Sequence, residues 1–129
     1  MNKRILLIED NEENRYLATF LLAAEGWEVT HAADGPTGLA LAASMNPVLI
    51  LLDIQLPGMD GYAVAKALRQ NADLNAVPIV AVTSYAMTGD RERCMEAGCD
   101  GYLEKPIDPQ TFTRDVAAFV HPVGAGGLP

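Results

Sequence analysis

The sequence predicts an open α/β sheet with helices on both faces, and three observations carry that prediction. Five short apolar runs, at residues 5–8, 27–32, 48–52, 79–82 and 102–103, alternate with segments of helical period. The first, third and fourth runs are nearly unbroken Ile, Leu and Val, the composition of strands buried on both faces of a parallel sheet. Helix start and stop signals fall between the runs, so a strand–helix unit repeats five times, with right-handed crossovers.

Each element follows in turn. After the strand at 5–8, Asn11 or Asp10 caps the first helix, and Glu12 and Glu13 suit its positive end. Leu17, Phe20, Leu21 and Ala24 repeat at helical spacing, and Gly26 ends the helix in the left-handed conformation. The strand at 27–32 leads to a second helix with Leu39, Ala42 and Met45 on one face. The strand at 48–52 precedes a helix carrying Ala65 and Leu68, and the strand at 79–82 precedes a fourth helix near 90–97. After 102–103, Asp108-Pro109 reads as a cap followed by proline at the first helical position, and Phe112, Val116 and Phe119 form the last stripe. From Pro122 the sequence has no periodicity, so we expect one folded domain over 1–121 and a tail over 122–129.

Composition narrows the function. Of 129 residues, half are apolar and 20% charged, which excludes a disordered, collagen-like or disulfide-scaffold chain. Lys and Arg number 9 against 17 Asp and Glu, a net charge of −8 that would repel a phosphate backbone, so direct nucleic-acid binding is not expected. Cys94 and Cys99 lack a CxxC spacing, and His31 and His121 are isolated, which suits reduced buried thiols and argues against a zinc site. The basic start Met1-Asn2-Lys3-Arg4 is followed by too short an apolar run for a signal peptide or a membrane span. We therefore expect a cytoplasmic protein without membrane insertion.

In an open parallel sheet, ligands bind beyond the carboxyl ends of the strands. The residues there are Glu9 and Asp10 after the first run, Asp53 after the third, Thr83 and Ser84 after the fourth, and Lys105-Pro106 after the fifth. Taken singly, each has a plain structural explanation: a helix cap, a turn residue, a strand-end hydroxyl, a solvated charge. Their joint placement at one edge is what calls for a function. Two unit charges about 4 Å apart repel by roughly 4 kcal/mol at an effective dielectric near 20. Three carboxylates in one crevice thus need a proton or a cation, and one lysine offsets only part of the charge. A hard divalent ion, Mg²⁺, suits such oxygen ligands and keeps positions open for phosphate oxygens.

On these residues the chain resembles the CheY-like receiver domain of two-component response regulators. Leu52-Asp53-Ile54-Gln55-Leu56-Pro57-Gly58-Met59-Asp60-Gly61 resembles the family's phosphoacceptor segment, Thr83 lies where the family carries Thr or Ser, and Lys105-Pro106 matches its Lys-Pro pair. Tyr102 falls on the aromatic switch position. The likeness runs from about Lys3 to Val120, so the expectation is a stand-alone receiver. The segments 53–57 and 81–90 most resemble the DivK type. The resemblance implies a flavodoxin-like, doubly wound, five-stranded parallel sheet of order 2-1-3-4-5 with five helices.

It also implies the chemistry. Asp53 is the expected phosphoacceptor, taking a phosphoryl group from a sensor histidine kinase or a histidine phosphotransfer protein in a Mg²⁺-dependent reaction. Asp10, Asp53 and the Gln55 carbonyl are the expected metal ligands, with Glu9, where the family often has Asp, reaching the ion through water. Lys105 pairs with the phosphoryl oxygens, and Pro106 restrains the backbone beside it, a cis bond being open to it. Thr83 and Tyr102 form the switch, biasing the face of the fourth helix, fifth strand and fifth helix toward a downstream protein. Arg91, Glu92, Arg93 and Glu96 border that face as a charged skin. Such a protein is a signalling module and not a turnover enzyme. Three rivals remain: a small aspartyl-phosphate phosphatase or phosphotransferase, though Gln55 stands where the haloacid dehalogenase-like pattern needs Asp; a flavin carrier, though the loop Glu9-Asp10-Asn11-Glu12-Glu13 would repel its phosphate; and a binding module of the same fold that is never phosphorylated.

Overall fold

The computed structural model describes residues 2–84 and 89–120. The expected tail at 122–129, His121 and positions 85–88 of the 81–90 segment lie outside the described residues. Five strands, β1 (Arg4–Ile8), β2 (Glu28–Ala32), β3 (Leu49–Asp53), β4 (Ile79–Thr83) and β5 (Gly101–Glu104), alternate with α1 (Glu12–Ala24), α2 (Gly35–Met45), α3 (Gly61–Gln70), α4 (Asp90–Ala97) and α5 (Phe112–Phe119). All strand pairs are parallel, in the order β2-β1-β3-β4-β5. The expected flavodoxin-like architecture is the one found.

Side chains alternate across the strands, so the unbroken apolar runs fill two cores. Leu6, Ile8, Ile50, Leu52, Ile79 and Ala81 face α2, α3 and α4, packing on Ala42, Val64, Leu68 and Cys94. Ile5, Leu7, Leu49, Leu51, Val80 and Val82 face α1 and α5, packing on Ala18, Leu22, Phe112 and Val116. Both cysteines are buried and free, as expected. No helix among the described residues is long and apolar enough to cross a membrane.

Local signals explain the element starts. Asn11 caps α1, its side chain accepting from the Asn14 amide at 2.9 Å, and Gly26 follows the helix at φ +92°. Asp34 and Asp60 cap α2 and α3 in the same way. Two expectations need correction. The stripe Leu17, Phe20, Leu21 and Ala24 is not the buried face of α1: Ala18 and Leu22 are buried, whereas Phe20 is 57% exposed and stacks on Tyr16 at 6.3 Å. One residue is about 100° of helix rotation, and the small Ala18 lets the helix lie close to the sheet. Nor does α5 begin at Pro109. The Asp108 side chain accepts from the Gln110 amide, 2.9 Å away, forming a turn, and its carbonyl accepts from Thr111 and Phe112, so the helix starts at Phe112. The Lys105–Pro106 peptide bond is cis.

Candidate functional site

Strands β3 and β4 each run one residue past their apolar cores. Asp53 pairs with Val82 and Thr83 with Glu104, so both polar residues are held in the sheet itself, with further bonds from Ile54 N to Val82 O and Lys105 N to Thr83 O. Asp53 and Thr83 are buried, and Glu9, which follows β1 and donates to Ala32 O, is equally enclosed. Behind Asp53, Gly61 donates to Ile54 O at 2.9 Å, and a Cβ on Gly61 would collide with the Ile54 backbone and lie 2.8 Å from Asp53 O. The glycine thus lets α3 begin directly under the strand end that carries the acid.

The three acids come together. Glu9, Asp10 and Asp53 each offer a carboxylate oxygen within 4.8 Å of the others. Lys105 Nζ lies 2.7 Å from Glu9 Oε1 and 3.2 Å from Asp53 Oδ2. Asp53 Oδ1 accepts from the Gln55 amide at 2.9 Å, and Glu9 Oε2 from the Asn11 amide at 3.2 Å. Gln55 Oε1 accepts from Ser84 Oγ at 2.8 Å, which leaves Gln55 Nε2 buried without a hydrogen-bond partner among the described residues. These groups line a cleft of about 520 Å³ at the carboxyl edge of the sheet, on the β1–β3 side where the strand order reverses.

The electrostatics follows from this crowding. Burial raises the Asp53 pKa, the Glu9 carboxylate raises it further, and the Gln55 amide and Lys105 only partly compensate, leaving it at about 6. Burial pushes the Lys105 ammonium down, but its bond to Glu9 and the Asp53 charge outweigh that and hold its pKa above the ordinary value. One cation therefore faces three carboxylates, and the hard oxygen donors fit a divalent ion such as Mg²⁺.

Each candidate site residue falls among the described residues. Glu9, Asp10, Asp53, Gln55 and Lys105 line the cleft, Thr83 ends the neighbouring strand, and Tyr102 is half-buried against the core shared by α3 and α4. Arg91, Glu92, Arg93 and Glu96 are exposed on α4, yet Arg93 also sits 4.2 Å over the Tyr62 ring of α3. Sequence reasoning missed Arg15, whose Nη1 donates to both Glu9 O and Asp10 O at 3.0 Å. Its only sequence signal is a cation one turn after an acidic loop, in the part of a helix that favours anions.

A doubly wound sheet with three acids and a lysine at its carboxyl edge defines a response regulator receiver domain. The model of that family matches residues 5–117, and the chain belongs to it. It is similar to the polar-differentiation response regulator DivK of Brucella ovis, with 39% identity over 93% of this chain and 98% of that protein. Among solved structures it is similar to the receiver domain of sensor histidine kinase PA1611 from Pseudomonas aeruginosa, which holds a magnesium ion in its active-site cleft, with 35% identity, a TM-score of 0.84, and 92% and 98% of the two chains covered. Chemotaxis protein CheY4 of Vibrio cholerae superposes with a TM-score of 0.89 at 27% identity, covering 93% of this chain and all of that one. The protein is a CheY-like receiver of the two-component type, and its relatives are DivK-like.

Proposed function

We propose that the protein is a response regulator, a receiver over residues 1–121 with a tail over 122–129, that takes a phosphoryl group on Asp53. The donor is a sensor histidine kinase or a histidine phosphotransfer protein in the cytoplasm, and the output is phosphorylation-dependent protein binding. The observation that supports this reading best is the buried Asp53 carboxylate clustered with Glu9 and Asp10, with the Lys105 ammonium bridging Asp53 and Glu9.

The Asp53 carboxylate attacks phosphorus; a P–O bond forms as the P–N bond of the phosphohistidine breaks, and the freed imidazole keeps the electron pair. Asp10, Asp53 and the Gln55 carbonyl would hold Mg²⁺, with Glu9 acting through water, and the ion when bound would neutralise phosphoryl and carboxylate charge. Lys105, already beside Asp53, has an ammonium able to turn toward a phosphoryl oxygen. The Gln55 amide holds Asp53 Oδ1 and so orients the acid. Thr83 then donates its hydroxyl to the phosphoryl group, and Tyr102, which packs on the same core as Ile79 and Ala81, moves further inward. That shift re-poses the face of α4, β5 and α5 for a downstream protein.

Incubation with Mg²⁺ and a small acyl phosphate, followed by measurement of incorporated phosphate, tests the acceptor. The expected result is one phosphoryl group per chain, lost in Asp53→Asn and on chelation of the metal. Equal labelling of Asp53→Asn refutes the assignment, and multiple turnover on phosphate monoesters would make the protein a phosphatase instead.

A further inference from the structure

We propose that Arg15 is a positioning residue for the divalent-cation site, holding the acidic loop in its metal-binding shape before any metal arrives. The inference rests on the cation-dependent reading above and extends it to a residue outside the acid cluster. Arg15 is the fourth residue of α1, where the helix dipole disfavours a cation. What it gains there is a pair of bonds from one guanidinium nitrogen to two consecutive carbonyls, Glu9 O and Asp10 O, each at 3.0 Å.

Those two carbonyls belong to the residues whose carboxylates, with that of Asp53, would embrace the ion. Without a cation, like charges this close push the loop apart. Lys105 restrains Glu9 and Asp53 through their side chains, whereas Asp10 is exposed and the placement of its carboxylate follows from its backbone. Four hydrogen bonds hold that backbone: the Asn11 cap on Asn14, the Asn11 amide on Glu9 Oε2, and the two of the Arg15 bridge. The Arg15 bridge holds the carbonyls of both peptide units that flank Asp10, whereas the Asn11 amide holds one of the two. Groups one step removed from a metal's ligands commonly set its affinity by tenfold or more, because they fix ligand geometry in advance.

The charge of Arg15 and its hydrogen bonds predict opposite signs. A cation near a cation site opposes metal binding, so losing the charge alone would tighten it. Losing the bridge weakens it. Titration of the full chain with Mn²⁺, reading the free ion by electron paramagnetic resonance, separates the two. Arg15→Met, which keeps the aliphatic stem, is expected to bind Mn²⁺ about tenfold more weakly than wild type, and Arg15→Lys to fall between them. Acyl-phosphate labelling of Arg15→Met should be slow at limiting Mg²⁺ and approach the wild-type rate at saturation, a split that general loss of structure would not give. Equal or tighter binding by Arg15→Met overturns the proposal. Should Arg15→Met lose its helical circular dichroism, Arg15→Lys decides alone: weaker binding supports the role and unchanged binding overturns it. Failure of wild type to bind Mn²⁺ would instead sink the cation reading itself, and this role with it.

Discussion

Asp53 is an acid whose ionisation the fold resists, because burial and the Glu9 carboxylate both raise its pKa, to about 6 from an ordinary 3.8. A folded-state pKa above the unfolded value means that folding favours the protonated acid. The resulting stability is fully present below about pH 3.8 and lost as pH rises through about 6. In metal-free buffer, the melting temperature of wild type should therefore fall relative to Asp53→Asn as pH is raised from about 4 to about 7. A constant difference between the two across that range would contradict the shift. Because Mg²⁺ takes the ionised acid, calorimetric titration should show its affinity dropping as pH is lowered through about 6. Lys105 does not share this transition, since its partners raise its pKa and keep it charged.

At the scale of elements, the site depends on how closely α3 approaches the end of β3. Gly61 sits where any Cβ would strike the Ile54 backbone and crowd Asp53 O. Gly61→Ala is expected to cost about 2 kcal/mol in denaturant unfolding, the scale of overpacking a rigid contact, and to weaken Mg²⁺ binding by displacing Asp53. Gly58→Ala is the control: its φ of +78° makes it strained, but nothing lies within 4 Å of the added Cβ. It should cost about 1 kcal/mol and leave metal affinity unchanged. If both variants bound Mg²⁺ like wild type, the close approach of α3 would have no part in the site. The same scale shows where pattern reading stops. The apolar residues of α1 fit a stripe through Phe20, but the face that packs is set by Ala18 and Leu22, which the sheet alone selects.

The whole molecule carries a net charge of −8, and among the described residues three carboxylates meet one ammonium at a single edge of the sheet. A cation that binds there and not to the unfolded chain stabilises the fold by mass action. At about a hundred times its Kd, Mg²⁺ should add about 2.7 kcal/mol, raising Tm by roughly 10 °C for a domain of this size. Thermal melts with Mg²⁺ and with chelator measure this directly, and Asp10→Asn should lose most of the increment. Identical wild-type melts in the two buffers would leave the clustered acids without their cation.

The sequence by itself determined the architecture and most of the candidate site. Unbroken runs as short as 49–52, rich in Leu and Ile and bounded by turn signals, suit strands covered on both faces, and strand–helix alternation with short connections leaves few topologies. Once the strands are placed, the residue after each run must stand at the carboxyl edge, so Glu9, Asp10, Asp53, Thr83 and Lys105 were legible as neighbours. Tertiary structure alone decided the rest. That Lys105 lies nearer Glu9 than Asp53, that Gln55 bonds Ser84, and that Arg15 reaches back to two carbonyls all depend on where separate elements come to lie in space. Sequence spacing carries periodicity along an element, and it carries no record of a side chain's partners across elements.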